Sequence, residues 1–587
     1  MAEAVRARAY NSLSQFRSDA WSGLEEATER LSAAAAAGRP LDALLSRVTG
    51  LLDELAPIER YWAYPGPLAF QQGRRLFTAG KYTRFARAAA SVNRGLVTDS
   101  YRNGVAWSVA MAIQEPLERE IVNPVEINPR PYFEVLIVED MSEIQERALR
   151  DELRKWRRPD DEFTYELVVV PSYQDALIAA RINFNIQACV IKRRFASHST
   201  RDLSTLEHFV DDSSPDYLME LTPDARAETL GQAIAGIRPE LDLYMMTEIS
   251  LEDVAGWLSH HFRRIFHSRE GTLELHLSLL AGVAERYEAP FFSALKQYSH
   301  RPTGVFHALP ISQGKSIVNS HWIKDMIGFY GLDIFLAETS ATCGGLDSLL
   351  EPTGPLRDAQ DLASETFGSR QTYFVTNGTS TANKIVSQAL VQPGDIVLVD
   401  RNCHQSHHYG LMLSGAHVVY LDAYPLSEFS MYGAVPLRNI KAQLLALRRA
   451  GKLDRVKMLM LTNCTFDGVV YDVQRVMEEC LAIKPDLVFL WDEAWFAFAR
   501  FHPVYRPRTA MQSASTLLET LRNPAYRAEF EAGVDDVRAA GDAELLDMRL
   551  VPDPARARVR VYATQSTHKT LTSLRQGSMI HVFDQDF

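Results

Sequence analysis

The chain begins with apolar residues at helical spacing and changes to strand-like runs only after about 130 residues. Residues 41–55 place apolar side chains three and four positions apart, and residues 32–37 are rich in alanine. Both patterns are typical of α-helices, and no strand-like alternation interrupts them. We therefore predict a helical N-terminal extension over residues 1–130, which carries no catalytic motif and suits packing or assembly.

Short apolar runs separated by helix-like stretches begin at Tyr132. The runs occupy residues 133–138, 166–170 and 188–191. Such alternation is typical of parallel sheets whose strands are connected by helices. It predicts a small parallel α/β domain of the flavodoxin-like type over residues 131–236.

The first of these strands ends in two acidic residues, Glu139 and Asp140, and this ending resembles the acidic pocket of a response-regulator receiver. A receiver also needs a phosphorylatable aspartate at the end of its third strand. Residues 192–194 are instead Lys-Arg-Arg. We therefore interpret the domain as a structural module and not as a phosphorylation switch.

A helical linker is predicted over residues 237–310, and beyond it strands and helices alternate again. The candidate strands of this second α/β region are residues 372–375, 396–399, 417–421, 456–461, 487–491 and 559–563. Their alternation with helices predicts a doubly wound sheet over residues 311–587. Ligands of such sheets bind beyond the carboxyl ends of the strands, and the polar motifs of this chain follow those ends.

Composition narrows the class of protein. The 587 residues are 46% hydrophobic and 23% charged, which is the balance of a globular protein too long for one domain. The net charge of −12 argues against nucleic acid as a partner and suits a cationic substrate. The five cysteines form no CxxC pair, and we find neither a signal-peptide pattern nor a membrane-spanning apolar run. We therefore expect a cytoplasmic protein with reduced thiols and no membrane contact.

Small and hydroxylated residues follow the strand at 372–375. Gly378 permits a tight turn, and Thr379 and Ser380 open the helix behind it. Backbone N–H groups and hydroxyls at a helix N-terminus bind phosphate, because the helix dipole favours an anion there. The same residues also make an ordinary N-cap, so this motif alone leaves both interpretations open.

His404 follows the next strand, in the sequence Asp-Arg-Asn-Cys-His. An imidazole at this position can stack on a planar cofactor ring. His407 and His408 come soon after it, and His404 and His408 have the i, i+4 spacing of metal ligands on a helix. The acidic residue of an HExxH motif is missing and no third ligand is evident, so we expect no metal site.

Asp492 follows the strand at 487–491, and Ala494 and Trp495 come directly after it. A carboxylate there can pair with the protonated pyridine nitrogen of pyridoxal 5′-phosphate (PLP) and keep the ring an electron sink. Ala494 is small enough to let the ring lie flat. A strand-end aspartate can instead cap the turn that follows it.

The last candidate strand leads into the tetrapeptide Ser566-Thr567-His568-Lys569. A lysine at the mouth of such a strand can form a Schiff base with PLP, although most lysines are solvated surface charges. The order of phosphate turn, ring-stacking histidine, pyridinium aspartate and Schiff-base lysine favours a PLP enzyme of the aspartate-aminotransferase fold type.

These motifs resemble the bacterial Orn/Lys/Arg decarboxylase family. The similar segments are residues 372–384, 400–404, 462–468, 491–495, 566–569 and 578–582. The resemblance covers about residues 310–587, and the flavodoxin-like module is similar to that family's N-terminal wing domain. It implies PLP as the cofactor, decarboxylation of a basic amino acid (arginine, lysine or ornithine), and a homodimer or larger homo-oligomer.

The resemblance also implies a role for each site residue. The residues that it assigns to catalysis are Lys569, His404, Asp492 and His568. Those that it assigns to cofactor binding are Gly378, Thr379, Ser380, His404, Asp492, Ala494, Trp495, Ser566, His568 and Lys569. Lys569 and His568 are the two candidates for the donor of the proton that is added at Cα.

The chain departs from the family pattern at Gln405, where the family usually has lysine. An acidic helical insertion at about 505–555 is expected to protrude from the sheet, and the N-terminal extension precedes the wing. The sequence given also stops soon after Lys569, where the family continues. We therefore expect an incomplete large domain.

Two other functions fit the same motifs. PLP motifs do not select the bond that is broken, so an aminotransferase of the same fold is one alternative. A truncated, non-catalytic paralogue that regulates a decarboxylase assembly is the other. The intact Lys569, Asp492 and His404 argue against that paralogue, whereas the early end of the sequence favours it.

Overall fold

The predicted strands form two separate sheets, each within its own unit of the chain. The computed structural model describes residues 13–103, 130–248, 261–301 and 311–587, with gaps at 202, 204–205, 207–214, 268–269, 312, 323 and 339–345. The chain divides into a first unit, Met1–Glu288, and a second unit, Ala289–Phe587.

The first unit opens with helices, as the spacing of its apolar residues predicts. They are α1 (Leu13–Ala36), α2 (Asp42–Leu55), α3 (Gly66–Thr78) and α4 (Tyr82–Val97). Each helix turns an apolar stripe inward, so that Leu24, Leu31 and Leu55 are fully buried. The described part of the N-terminal extension is therefore helical, and residues 1–12 and 104–129 lie outside the described residues.

A parallel sheet of five strands follows the helices. Its strands are β1 (Tyr132–Val138), β2 (Thr164–Val170), β3 (Ile186–Ile191), β4 (Asp242–Thr247) and β5 (Phe262–His267). The connecting and flanking helices are α5 (Glu143–Lys155), α6 (Tyr173–Ile182), α7 (Pro223–Ile237) and α8 (Thr272–Tyr287). The strand order β2-β1-β3-β4-β5 is that of flavodoxin-like folds, which confirms the predicted type of domain.

The predicted end of this domain at residue 236 and the helical linker over 237–310 do not match the structure. Strands β4 and β5 lie in that stretch and complete the sheet. The sequence did not predict these two strands, because β4 starts with Asp242 and β5 contains the exposed Arg263 and Arg264. Strand β5 is an edge strand, where charged side chains are tolerated and the apolar run is correspondingly interrupted.

The helical extension and the flavodoxin-like sheet share one hydrophobic core, so the predicted boundary at residue 130 does not separate two independent cores. The Tyr61 hydroxyl donates to Asp175 at 2.8 Å, and the Asn183 amide donates to the Tyr61 carbonyl at 2.6 Å. The Ala63 N–H donates to the buried Glu134 at 3.0 Å. Burial nevertheless raises the pKa of Glu134.

The acidic end of β1 carries a lysine partner in the structure. Lys192, directly after β3, places Nζ 2.8 Å from Glu139 Oε2. A cation therefore occupies the strand end at which a receiver has its phosphorylatable aspartate.

The second unit contains a seven-stranded sheet. Its strands are β6 (Gln371–Val375), β7 (Ile396–Asp400), β8 (His417–Leu421), β9 (Val456–Thr462), β10 (Val488–Asp492), β11 (Arg560–Ser566) and β12 (Ser578–Asp584). The order is β6-β12-β11-β10-β9-β7-β8, and β12 runs antiparallel to both of its neighbours. The six predicted strands are present, and β12 is an additional strand.

Helices cover both faces of this sheet. Those before the sheet are α9 (Pro290–His300), α10 (Lys315–Val318), α11 (Lys324–Tyr330), α12 (Asp333–Leu336) and α13 (Pro355–Phe367). Those that connect its strands, between β6 and β12 in the chain, are α14 (Thr379–Leu390), α15 (Gln405–Ser414), α16 (Leu437–Arg449), α17 (Val473–Ile483), α18 (Ala510–Arg522), α19 (Pro524–Ala539), α20 (Asp542–Asp547) and α21 (Thr567–Thr570). Successive residues of β9 are buried in different hydrophobic cores on the two faces of the sheet. Leu459 lies in the core that includes α16–α18, and Met458 lies in the core that includes α14 and α15. This is the predicted doubly wound arrangement.

The insertion at about 505–555 does not simply protrude. Helix α18 packs onto the sheet, because Met511, Ala514 and Leu517 repeat at helical spacing and are buried in the same core as β10 and β11. Only the later part of the insertion is largely exposed, and Tyr526 is the one buried residue of α19.

A buried ion pair holds α16 to α17 and to the end of the insertion. Lys441 Nζ donates to Glu479 at 2.7 Å and to the Met548 carbonyl at 2.8 Å, and both side chains of the pair are almost fully buried. Replacing Lys441 by methionine leaves the Glu479 carboxylate in the core with only its Arg475 partner. We expect the free energy of unfolding to fall by about 3 kcal/mol, measured by urea denaturation.

The neighbouring Arg438 provides the matched control for this variant. It lies on the same helix and pairs with Asp547 at 2.9 Å on the exposed surface. Arg438→Ala is expected to leave the unfolding midpoint unchanged, since exposed ion pairs contribute little. A Lys441→Met protein as stable as the wild type would contradict the stabilising role of the pair.

Candidate active site

The predicted site residues gather at one edge of the seven-stranded sheet. Gly378 follows β6, His404 follows β7, Asp492 ends β10 and Lys569 follows β11. These four strands are parallel to one another, so their carboxyl ends meet at the same edge. Strand β12 lies between β6 and β11 and joins the turn at Gly378 to the strand that leads to Lys569.

The turn before α14 has two successive residues with positive φ angles. Asn377 and Gly378 have φ angles of 66° and 78°, a left-handed conformation that glycine adopts without steric cost. The Gly378 N–H donates to the Gln576 carbonyl at 2.7 Å, which anchors the turn. The hydroxyls of Thr379 and Ser566 lie 2.6 Å apart, so the start of α14 and the end of β11 meet here. Ser380 is the second residue of α14 and is half-buried.

Asp492 is buried and receives three hydrogen bonds. His407 Nε2 and Asn383 Nδ2 donate to Oδ2 at 2.9 and 3.0 Å, and the Ala494 N–H donates to Oδ1 at 3.0 Å. Burial by itself raises the pKa of a carboxyl group, but these donors outweigh it and leave the pKa of Asp492 below its usual value. The site therefore contains a buried carboxylate whose hydrogen-bond donors favour its charged form.

The pKa of the next residue, Glu493, shifts in the opposite direction. Its carboxylate is fully buried and accepts from Asn463, Gln565 and the Ala510 N–H at 2.7 to 2.9 Å. Burial is the largest influence, and it raises the pKa of Glu493. The pKa values of these two adjacent carboxyl groups are thus shifted in opposite directions because their surroundings differ, a pattern common in acid–base sites.

Lys569 lies on the short helix α21 with its amine 4.8 Å from the ring centroid of Trp495. Partial burial lowers the pKa of Lys569, although the negative charge of Asp492 acts in the opposite direction. A lowered pKa increases the fraction of free amine at neutral pH, which is the form that acts as a nucleophile. Trp495 is 43% exposed, so it borders the site without being part of the core.

Two histidines complete the predicted set. His404 caps α15, and its Nδ1 accepts from the Ser406 N–H at 3.2 Å. Partial burial lowers the pKa of His404, and the charges of Asp492 and Lys569 act on it in opposite directions. His568 Nδ1 lies 3.1 Å from the Gly577 carbonyl and donates to it, which fixes the ring beside Lys569.

Residues behind Asp492 were not predicted as part of the site. Asn383 and His407 both donate to its carboxylate, and Thr564 fixes Asn383 by donating to its Oδ1 at 2.6 Å. In the sequence His407 is visible only as one member of a histidine cluster. The structure separates that cluster, since His407 is buried, whereas His408 lies near Cys403 and Tyr420.

Strand β12 provides a further supporting layer. Ser578 Oγ donates to the Val375 carbonyl at 3.0 Å, across 203 residues of chain. His581 is fully buried between Thr372 and Gln565, at 2.8 and 3.0 Å. Burial lowers its pKa to about 3, so this ring is neutral. Neutral His581 donates through Nε2 to Gln565, which in turn donates to Glu493.

Three other features of the described part of the chain bear on function: clusters of metal-ligating side chains, thiols and apolar helices. No group of three or more histidine, cysteine, aspartate or glutamate side chains there has a metal-binding arrangement. Cys189, Cys403, Cys464 and Cys480 are free thiols, and Cys343 falls in a gap. None of the described helices combines the length and hydrophobicity of a membrane span.

The second unit thus combines a doubly wound sheet with a cluster of polar residues at the carboxyl edge of its strands. Residues 289–520 match the family model described as "Orn/Lys/Arg decarboxylase, major domain". In this region the chain is therefore similar to the major domain of the Orn/Lys/Arg decarboxylases, which agrees with the resemblance of its motifs.

Individual relatives agree with this family. Lysine decarboxylase LdcA of Pseudomonas aeruginosa is 30% identical over 366 residues, which cover 60% of this chain and 43% of that protein. The biodegradative arginine decarboxylase of Escherichia coli K12 is 30% identical over 301 residues, covering 50% and 34% of the two chains. A solved structure of lysine decarboxylase A from Pseudomonas aeruginosa aligns with 77% of this chain and 54% of its own, at 25% identity and a TM-score of 0.41. The chain spans less than half the length of the curated relatives it matches.

Proposed function

We propose that this protein binds PLP and decarboxylates a basic amino acid to the corresponding amine and carbon dioxide. The observation that carries the proposal is the buried, ionised Asp492 at the same sheet edge as Lys569 and the Gly378 turn. The family of the major domain supports decarboxylation over transamination, the other reaction that the motifs allow.

The residues present fit PLP. The Cβ side of Gly378 is not crowded, since a Cβ built there meets only the Gln576 side chain, at an ordinary contact distance of 3.6 Å. The start of α14 and the hydroxyls of Thr379, Ser380 and Ser566 suit a phosphate. Asp492 Oδ1 has one protein donor among the described residues, which leaves an acceptor position for a ring N–H. When bound, PLP supplies an electron sink for the carbanion that decarboxylation produces.

The chain's own residues orient the reactants and handle the protons. Lys569, as a partly desolvated amine, would hold the cofactor and give way to the substrate amine. Asp492 would favour the protonated form of the pyridine nitrogen, and His404 would be the residue to stack on the ring. Lys569 Nζ and His568 Nε2 are the two candidate atoms for returning a proton to Cα, because His568 Nδ1 already donates to Gly577. Trp495 restricts water beside the lysine.

The substrate class is proposed from charge and from relatives. The relatives named above act on lysine or arginine, and the family description adds ornithine. The net charge of −12 attracts a cationic amino acid. We propose one of these three amino acids as substrate.

Cofactor binding is tested directly on the purified protein. After incubation with PLP and borohydride reduction, peptide mapping should show cofactor mass on the peptide that contains Lys569. Protein that takes up no PLP, or that carries it on another lysine, would contradict the proposed site.

The reaction is tested on the PLP-loaded protein with lysine, arginine and ornithine separately. Release of carbon dioxide from at least one of them is expected. Transfer of the amino group to an added 2-oxo acid, without release of carbon dioxide, would instead favour the aminotransferase. PLP uptake without either reaction would favour the non-catalytic paralogue.

We also propose that the protein works as a homo-oligomer in the cytoplasm. Helix α15, next to the site, exposes Tyr409, Met412 and Leu413, with Met412 75% exposed. Such an apolar surface beside a catalytic edge suits contact with a second copy. Light scattering should therefore give at least twice the mass of 66.1 kDa, and a monomer would contradict the assembly.

A further inference from the structure

His407 is a buried histidine with one bonded and one unpartnered ring nitrogen. Its side chain is 1% exposed, and Nε2 lies 2.9 Å from Asp492 Oδ2. Since a carboxylate can only accept, Nε2 carries the proton. Nδ1 is buried and has no hydrogen-bond partner. The arrangement fits the neutral ring with its single proton on Nε2, because a second proton on Nδ1 would be a buried donor without an acceptor.

Packing alone does not account for a histidine here. A buried nitrogen without a partner costs free energy that an apolar side chain of similar size avoids. A leucine would fill the same space within the core formed by α14 and α15. The bond to Asp492 is the interaction that offsets the unpaired Nδ1.

His407 and Asn383 both hold one oxygen of the Asp492 carboxylate. Asn383 is fixed by Thr564 and donates to Oδ2 of Asp492, which His407 also reaches. The Ala494 N–H is the donor to Oδ1. His407 and Asn383 together thus hold Oδ2, and the rotation of the carboxylate about its last bond is fixed while Oδ1 keeps an acceptor position.

We propose that His407 is a positioning residue that acts through Asp492. It keeps the carboxylate ionised and holds its orientation, so that Oδ1 is available to the protonated pyridine nitrogen of the cofactor. This inference rests on the proposed PLP function. The inference goes beyond that function because it assigns a role to His407, which received none from the sequence motifs.

The test compares the PLP affinity of three variants with that of the wild type by equilibrium titration of the PLP-free protein. His407→Leu removes the donor at similar volume and should weaken PLP binding roughly tenfold or more. His407→Gln retains an N–H at a similar distance and should recover part of that loss. His408→Leu, at the neighbouring position outside this network, should change the affinity by less than about twofold.

A double-mutant cycle separates positioning from general damage. In an Asp492→Asn background, the further change His407→Leu should alter PLP affinity by less than about twofold, because the group through which His407 acts has already lost its charge. A full tenfold loss in that background would overturn the proposal. So would an unchanged affinity of His407→Leu alone.

A readout without cofactor keeps the proposal testable if His407→Leu does not fold. In the PLP-free wild type labelled with [15N]histidine, nuclear magnetic resonance should show His407 protonated at Nε2 and not at Nδ1. The signal is assigned by its absence in His407→Gln. Protonation at Nδ1 would overturn the proposal. Failure of the wild type to bind PLP would contradict the proposed function itself, and this inference with it.

Discussion

Replacing Lys569 by alanine is expected to abolish covalent capture of PLP and to lower decarboxylation by at least about a thousandfold. The reason is chemical, since Lys569 is the amine at the carboxyl edge that lies near both Asp492 and Trp495. The measurements are peptide mapping after borohydride reduction and release of carbon dioxide from the best of the three amino acids.

Lys452→Ala is the control for that experiment. Lys452 is exposed in the turn before β9, at the opposite edge of the sheet, and should leave both measurements unchanged. A Lys569→Ala protein that still fixes PLP covalently would show that another lysine holds the cofactor. Full activity in that protein would remove Lys569 from the mechanism.

Asp492→Asn is expected to weaken PLP binding by about 3 kcal/mol, roughly a hundredfold. Asparagine keeps the shape of the side chain but not the charge that holds a proton on the pyridine nitrogen. The donors around Asp492 depress its pKa, so the carboxylate is charged above that lowered value and loses its charge only as the pH falls through it. Wild-type affinity should therefore persist into mildly acidic solution, as measured by titrations at several pH values.

Asp486 offers a matched control on the same strand segment. It lies before β10, at the amino end of the strand, where its exposed carboxylate pairs with the buried Lys484 at 2.7 Å. Asp486→Asn should bind PLP like the wild type. Equal affinity of Asp492→Asn and wild type would remove Asp492 as the partner of the pyridine nitrogen.

Much of the fold was predictable because its strands are buried on both faces. Apart from Lys457 and Thr462 in β9 and Asp492 at the end of β10, these two strands are apolar, as buried parallel strands are, and their positions were predicted to within a residue or two. Strand β5 and helix α18 were harder. Strand β5 is an edge strand with exposed arginines. Helix α18 buries an apolar face although it belongs to an acidic segment.

The site was predictable where a residue follows a strand and not where it lies behind one. Gly378, His404, Asp492 and Lys569 each come after an apolar run, so their common edge follows from the topology. Asn383 and His407 sit within helices, and only the packing of α14 against α15 turns them toward Asp492. No local pattern distinguishes such a histidine from one of its exposed neighbours.

The position of β12 has a consequence for how the second unit folds. This strand enters between β6 and β11, and its bond from Ser578 to Val375 spans 203 residues. Contacts of such long sequence separation form slowly, because a large loop must close before any of them is gained. On a ribosome, the turn at Gly378 would emerge long before the strand that secures it. Maturation of this edge is therefore expected to be a late step, which a bound anion could accelerate by holding the turn and the lysine strand together.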